Sequence, residues 1–159
     1  MALRLYDTRS RRKRIFETLV EGEVGIYVCG ITPYSPSHIG HARQAIAFDI
    51  IVRWLRKSGF LVNYITNFTD IDDKIIRIAN EENIDFLDVA NRNIDDYFEV
   101  MDLLNVNRAD SYPRVTETIP EIIDMIVKLI ENGNAYSSHD GVYFEINTAP
   151  EKYGQLTGQ

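Results

Sequence analysis

The chain has 159 residues, 45% of them hydrophobic and 26% charged, which suits one soluble globular domain with a sizeable core. No apolar run approaches the ~20 residues needed to cross a bilayer, Arg4 and Asp7 interrupt any signal-peptide core, and one cysteine cannot close an internal disulfide, so a reducing cytoplasm with no membrane partner is the expectation. The formal charge of −7, from 17 basic and 24 acidic residues, argues against the chain as a whole being the main electrostatic platform for a nucleic acid.

In chain order, residues 3–7 and 14–18 flank Arg9-Ser10-Arg11-Arg12-Lys13 and read as a short hairpin with a basic turn. Glu21-Gly22-Glu23 turns into a strand over 24–28. That strand runs into Cys29-Gly30-Ile31-Thr32-Pro33-Tyr34-Ser35-Pro36-Ser37-His38-Ile39-Gly40-His41, a stretch in which Pro33 and Pro36 block helix. Beyond it Ala45, Ile46, Phe48, Ile50, Ile51, Trp54 and Leu55 recur at near-helical spacing. The spacing predicts a helix from about His41 to Ser58-Gly59, with Arg56 and Lys57 suiting its negative end. Residues 60–68 are the next strand, so the segment reads as a parallel βαβ unit with a right-handed crossover. Ligands of such sheets sit at the carboxyl ends of the strands, which places residues 29–32 and 67–69 on one rim.

A strand feeding a helix N-terminus is a ready anion site, because unpaired N–H groups and the positive dipole end face the ligand. His38 and His41 are three apart and share a face in a helical first turn, while Gly40 removes a side chain where a flat ligand could approach. On spacing alone such a histidine pair is more often solvated or capping than catalytic, and Cys29 more often a small buried hydrophobe than a ligand. The co-occurrence of Cys, Thr, His, Gly and His in one turn shifts that balance.

Thr69 or Asp70 is expected to cap a helix over 72–82. Asp70, Asp72 and Asp73 could suggest a hard-metal cluster, but they lack the glycine and distal glutamate of a calcium loop, and capping is favoured. From Asp85 a further helix carries Phe86, Leu87, Val89, Ala90, Ile94, Tyr97, Phe98, Met101 and Leu104 as a core stripe. Residues 105–113 connect to a capping box, Thr118-Ile119-Pro120-Glu121, and a helix that stops near Asn132-Gly133. A hairpin over 135–137 and 142–146 turns at His139-Asp140-Gly141, with positive φ expected at Gly141 and His139 solvated at the tip. From Asn147 through Pro150 and Gly154 the chain turns polar and irregular.

His38-Ile39-Gly40-His41 resembles the His-Ile-Gly-His signature of class I aminoacyl-tRNA synthetases. With Tyr27-Val28-Cys29-Gly30-Ile31-Thr32 before it and Thr69-Asp70-Ile71-Asp72-Asp73-Lys74 after it, the ordered set resembles the N-terminal catalytic region of the cysteinyl-tRNA synthetase family. The likeness runs from Leu5-Tyr6-Asp7-Thr8 to Tyr153-Gly154-Gln155-Leu156.

The resemblance implies an α/β fold, a Rossmann-like parallel sheet of the class I nucleotidyl-transferase type with an N-terminal and a C-terminal hairpin. Residues 1–159 would be the first half of the catalytic domain, with its second half and the anticodon-binding domain absent. The implied activity is ATP-dependent activation of cysteine to cysteinyl-adenylate and transfer to tRNA-Cys. His38, Gly40 and His41 would bind ATP, the two histidines forming the catalytic pair through positioning and electrostatics. Thr32 and Thr69 would orient the amino acid, and Cys29 would be a ligand of the zinc that holds the substrate thiolate. The family's other zinc ligands and its lysine-rich closing loop lie in sequence not present here, so this piece is expected to be inactive alone and to hold zinc weakly or not at all. An exposed apolar edge or face and self-association are expected of such a half sheet. The basic turn at Arg9–Arg14 could touch a tRNA acceptor end or a localisation receptor, although a solvated turn is favoured over either. Two alternatives stand beside the ligase reading: a same-fold ligase joining cysteine to a small amine, and a non-catalytic nucleotide-binding paralogue.

Overall fold

In chain order the elements are β1 (Arg4–Asp7), β2 (Arg12–Ile15), β3 (Glu23–Ile31), α1 (Ile39–Lys57), β4 (Leu61–Phe68), α2 (Asp73–Glu82), α3 (Phe86–Leu103), α4 (Ile119–Glu131), β5 (Ala135–Ser138), β6 (Gly141–Phe144) and a 3-10 turn (Ile146–Thr148). They come from a computed structural model that describes residues 3–148 and 153–156; Pro150 and Gln159 lie outside the described residues. Contacts divide the chain into two compact units, Thr18–Thr118, and Met1–Glu17 with Ile119–Gln159.

The first unit is built on the parallel pair β3–β4, joined by α1 as the alternation of apolar patterns predicts. Residues 111–114 extend along the far side of β4, with bridges at Ile65–Ser111 and Phe68–Arg114. The connection expected over 105–113 therefore supplies a short third parallel segment, since the Ser111 and Pro113 carbonyls accept from Thr66 and Phe68 N–H at 3.2 and 3.0 Å. The alternate residues Val62, Tyr64, Thr66 and Phe68 are buried, whereas Leu61 on the other face is 72% exposed. Phe68, Ile31 and Ile94 form one core cluster with Tyr97, Phe98 and Tyr112 packed around it. Burying a ring such as Phe68 contributes about 1.5–3 kcal/mol, and the stacked Tyr112 ring at 5.3 Å adds to it. Ile75, Ala79, Val89 and Ala90 form a second cluster between α2 and α3, against which Tyr34 of the loop before α1 also packs.

One expectation of this unit needs correcting. The cap of α2 is Asp72, whose side chain accepts from Lys74 N–H, and not Thr69 or Asp70. Asp70 is drawn inward because a fully buried carboxylate needs donors, and Thr116 provides its N–H and hydroxyl at 3.0 and 2.5 Å. The apolar stripe of α1 is only partly core: Ala45, Val52 and Leu55 are buried, while Ile50 and Trp54 are 61% and 59% exposed. An open apolar face is thus present on α1, as expected of a half sheet.

The second unit holds the β1–β2 and β5–β6 hairpins and α4. The Thr118 hydroxyl lies at the boundary and donates back to the Arg114 carbonyl at 3.0 Å, so the predicted capping box does not organise the start of α4. Gly141 does not adopt positive φ; it opens β6 opposite Ser138, and the turn is closed by His139 and Asp140, with Tyr143 donating to the Asp140 carboxylate at 2.9 Å.

Candidate active site

The rim is shaped by a register shift between Val28 and Ile31 on β3. Gly30 N–H turns out of the ladder and donates to the Asn67 side-chain oxygen at 2.8 Å, and the Tyr27 hydroxyl donates to the same oxygen at 3.0 Å. The Asn67 amide nitrogen reaches the Thr69 hydroxyl at 3.4 Å, and Thr69 N–H donates to the Ile31 carbonyl at 3.0 Å. These bonds bring Cys29, exposed on β3, to the same rim as half-buried Thr69, forty residues on, as the βαβ reading requires. Thr32 follows directly, half-buried, its carbonyl accepting from Tyr34 N–H at 2.9 Å.

The second cluster is the start of α1. His38 is the N-cap, extended at φ −127°, and its Nδ1 accepts from Gly40 N–H at 3.0 Å. His41 is the third helical residue, and its Nδ1 accepts from His38 N–H at 3.4 Å, so the two histidines form a reciprocal capping box. Their rings stack with centroids 3.7 Å apart and planes 24° from parallel. Capping and catalysis, set apart as alternatives by spacing, are thus compatible here: each ring caps through Nδ1, which leaves Nε2 to carry the proton of the neutral imidazole and to donate. Burial pushes the His41 imidazole below its ordinary value, and the neighbouring His38 adds to that shift. A Cβ at Gly40 would lie 2.8 Å from the His38 ring, so a side chain there would push that ring from its present place.

Four positioning side chains carry no motif. Gln44 of α1 donates to the Cys29 carbonyl at 2.8 Å and so ties the histidine turn to the strand rim. Asn93 of α3 is buried and donates to the Pro33 carbonyl at 3.2 Å and to the Val89 carbonyl at 2.8 Å. Asp96, one turn on, accepts from Ser37 N–H at 2.7 Å. Asn67 is the fourth, and its place in the rim stretch was legible. A polar Asn93 within the apolar stripe of α3 was the signal available for the loop anchors.

This arrangement offers what an anion binds: a helix N-terminus with two imidazole donors, next to hydroxyls on a sheet rim. For zinc the fit is poor. Cys29 is one soft donor, and among the described residues no group of three or more His, Cys, Asp or Glu side chains converges, whereas a closed zinc site takes four ligands.

Residues 15–159 match the family described as the tRNA synthetases class I (C) catalytic domain. The chain is 51% identical over 160 residues to cysteine–tRNA ligase of Idiomarina loihiensis, covering 100% of this chain and 35% of that protein. It is 51% identical over 158 residues to the enzyme of that name from Thermococcus onnurineus, covering 99% and 33%. With the Pyrococcus furiosus relative the figures are 50% over 156 residues, 98% and 32%. The chain thus spans about a third of the length of the curated relatives it matches. Among solved structures, Mycobacterium tuberculosis methionyl-tRNA synthetase in complex with methionyl-adenylate aligns with a TM-score of 0.63 at 24% identity, covering 70% of this chain and 23% of that one, a likeness of fold. The parallel β3–α1–β4 unit is therefore Rossmann-like in the class I manner, and the chain belongs to the class I (C) tRNA synthetase catalytic-domain family.

Proposed function

We propose that the chain is the first part of the catalytic domain of a cysteine–tRNA ligase, which activates cysteine with ATP and passes it to tRNA-Cys. The observation that carries this reading is the stacked His38–His41 pair at the N-terminus of α1, with Cys29 and Thr69 on the adjoining rim. Adenylate formation requires the amino-acid carboxylate to attack the α-phosphate of ATP with loss of pyrophosphate. The transition state gathers negative charge on phosphate oxygens, and preorganised donors there lower its energy. His38 and His41 would donate from Nε2, Gly40 would leave room for the adenine, and Thr32 and Thr69 would orient the amino acid.

By the resemblance Cys29 would be one thiolate ligand of a zinc ion, a soft metal that favours a thiol over a hydroxyl when bound. The working compartment is the cytoplasm, in keeping with one unpaired cysteine and no helix among the described residues long and apolar enough to cross a membrane.

Pyrophosphate exchange tests the reading. The 159-residue chain alone is expected to show no cysteine-dependent exchange of pyrophosphate into ATP, because no group here clamps the triphosphate. Grafted in place of the matching third of the Idiomarina loihiensis relative, it should support cysteine-dependent exchange, lowered steeply by Cys29→Ser and by His38→Ala. Unchanged exchange in both variants of the graft would contradict the assignment, and exchange by the isolated chain would show a self-sufficient site.

A further inference from the structure

We infer that the β1–β2 hairpin is a docking surface for single-stranded RNA, its cations on the phosphates and an unpaired base stacked on Tyr6. Residues 4–15 hold six cations and one carboxylate, while the whole chain carries −7, so the remaining residues carry −12. Such segregation concentrates a positive field on one small element of an otherwise acidic chain. The hairpin register then sorts the side chains. Tyr6 lies directly opposite Lys13, and Arg4 lies opposite Ile15, so all four share one face. That face is open: Tyr6 is 61% and Ile15 53% exposed, and Arg4 and Lys13 are exposed with them. An aromatic ring flanked by cations on an exposed strand pair is the chemistry of a stacking platform for a strand with unpaired bases, whose faces are free.

The charges are also unspent. The one local carboxylate, Asp7, accepts from Arg9 and Ser10 N–H at 3.2 Å each and sits 3.6 Å from Arg14. Arg4, Arg9, Arg11, Arg12 and Lys13 form no ion pair among the described residues. Arg11 moreover adopts φ 53°, a left-handed conformation that glycine or asparagine takes more readily, so the turn keeps a cation where another residue would be less strained. A single-stranded anionic polymer satisfies all three features together. The choice of RNA rests on the ligase reading, which it deepens by naming a surface that meets the nucleic acid.

The test is fluorescence anisotropy of the 159-residue chain with a short labelled single-stranded RNA, the same sequence as a duplex, and phosphatidylserine vesicles in a parallel flotation assay. Single-stranded RNA should bind best, and Tyr6→Ala should weaken it by roughly 5- to 150-fold while Tyr6→Phe binds nearly as wild type. Arg4→Gln with Lys13→Gln should flatten the slope of log affinity against log salt by about 1.4, since each phosphate contact of a single strand contributes about 0.7. Wild-type affinity and slope in these variants would overturn the proposal. So would duplex binding equal to single-strand binding with no effect of Tyr6→Ala, or stronger capture by the vesicles. ATP titration of the same variants should be unaltered; loss of ATP binding by the wild-type chain would instead sink the adenylate-site reading and leave the RNA result standing.

Discussion

The Asn67 carbonyl oxygen would lie 1.6 Å from a Cβ placed on Gly30, so the strand bulge and its neighbour fit together only with glycine at that position. The contact is with backbone, which cannot swing aside as a side chain can. Gly30→Ala is therefore expected to destabilise the fold by about 1–3 kcal/mol or more, read as a lower urea midpoint. An unchanged midpoint would mean that β3 and β4 separate at the rim without cost.

Asn93 and Asp96 should act as anchors of the loop that presents His38. Asn93→Leu leaves the Pro33 carbonyl without its buried donor and should cost about 1–3 kcal/mol. Asp96→Ala removes the acceptor of Ser37 N–H at a half-buried position and should loosen the loop more than the fold. Ring proton resonances of His38 and His41 report this directly: they should shift in both variants, and resonances of wild-type position would show that α3 does not position the pair.

His41 should titrate below its ordinary value, for the burial and His38 repulsion already described. In the unfolded chain its imidazole takes a proton near 6.5, so in acid the unfolded state binds more protons than the folded one. This group's contribution to stability is thus present above about 6.5 and falls as pH drops from there through the folded value. Proton NMR titration checks it, and a His41 midpoint at or above that of a free imidazole would contradict the geometry.

Much of this was legible because hydrophobic period and turn chemistry agree locally. The aromatic and β-branched run over 60–68 and the helical spacing over 41–58 point to the parallel β3–α1–β4 unit, and the unit by itself brings residues 29–32 beside 67–69. What escaped depends on tertiary partners. Nothing near Asp70 in the sequence announces Thr116, 46 residues on, and without that donor pair an aspartate before a helix reads as a cap. Ile50 and Trp54 fit the same period as Leu55, and periodicity alone cannot tell which side of α1 meets the sheet. The capping role of His38 and His41 was foreseen as an alternative to a catalytic role; that a ring capping through Nδ1 still leaves Nε2 to donate follows only from the Nδ1 geometry.

Asp70 gives a fourth expectation. Its carboxylate is fully buried between the Thr116 N–H and hydroxyl, so Asp70→Ala leaves both donors without their acceptor and should lower stability by about 1–3 kcal/mol or more. Thr116→Val tests the same pair from the other side and should recover part of the loss in the double variant, because the two residues share one interaction. Strict additivity in chemical denaturation would count against a coupled pair.

The most direct test of the nucleotide site is an ATP titration of the 159-residue chain followed by NMR of the His38 and His41 rings, with His38→Ala and His41→Ala as controls. ATP should shift both rings saturably, and each variant should bind it more weakly while keeping the wild-type fold, since His38 is exposed and His41 half-buried on the rim. Equal ATP affinity in the wild type and both variants, with the ring resonances unmoved, would contradict the account.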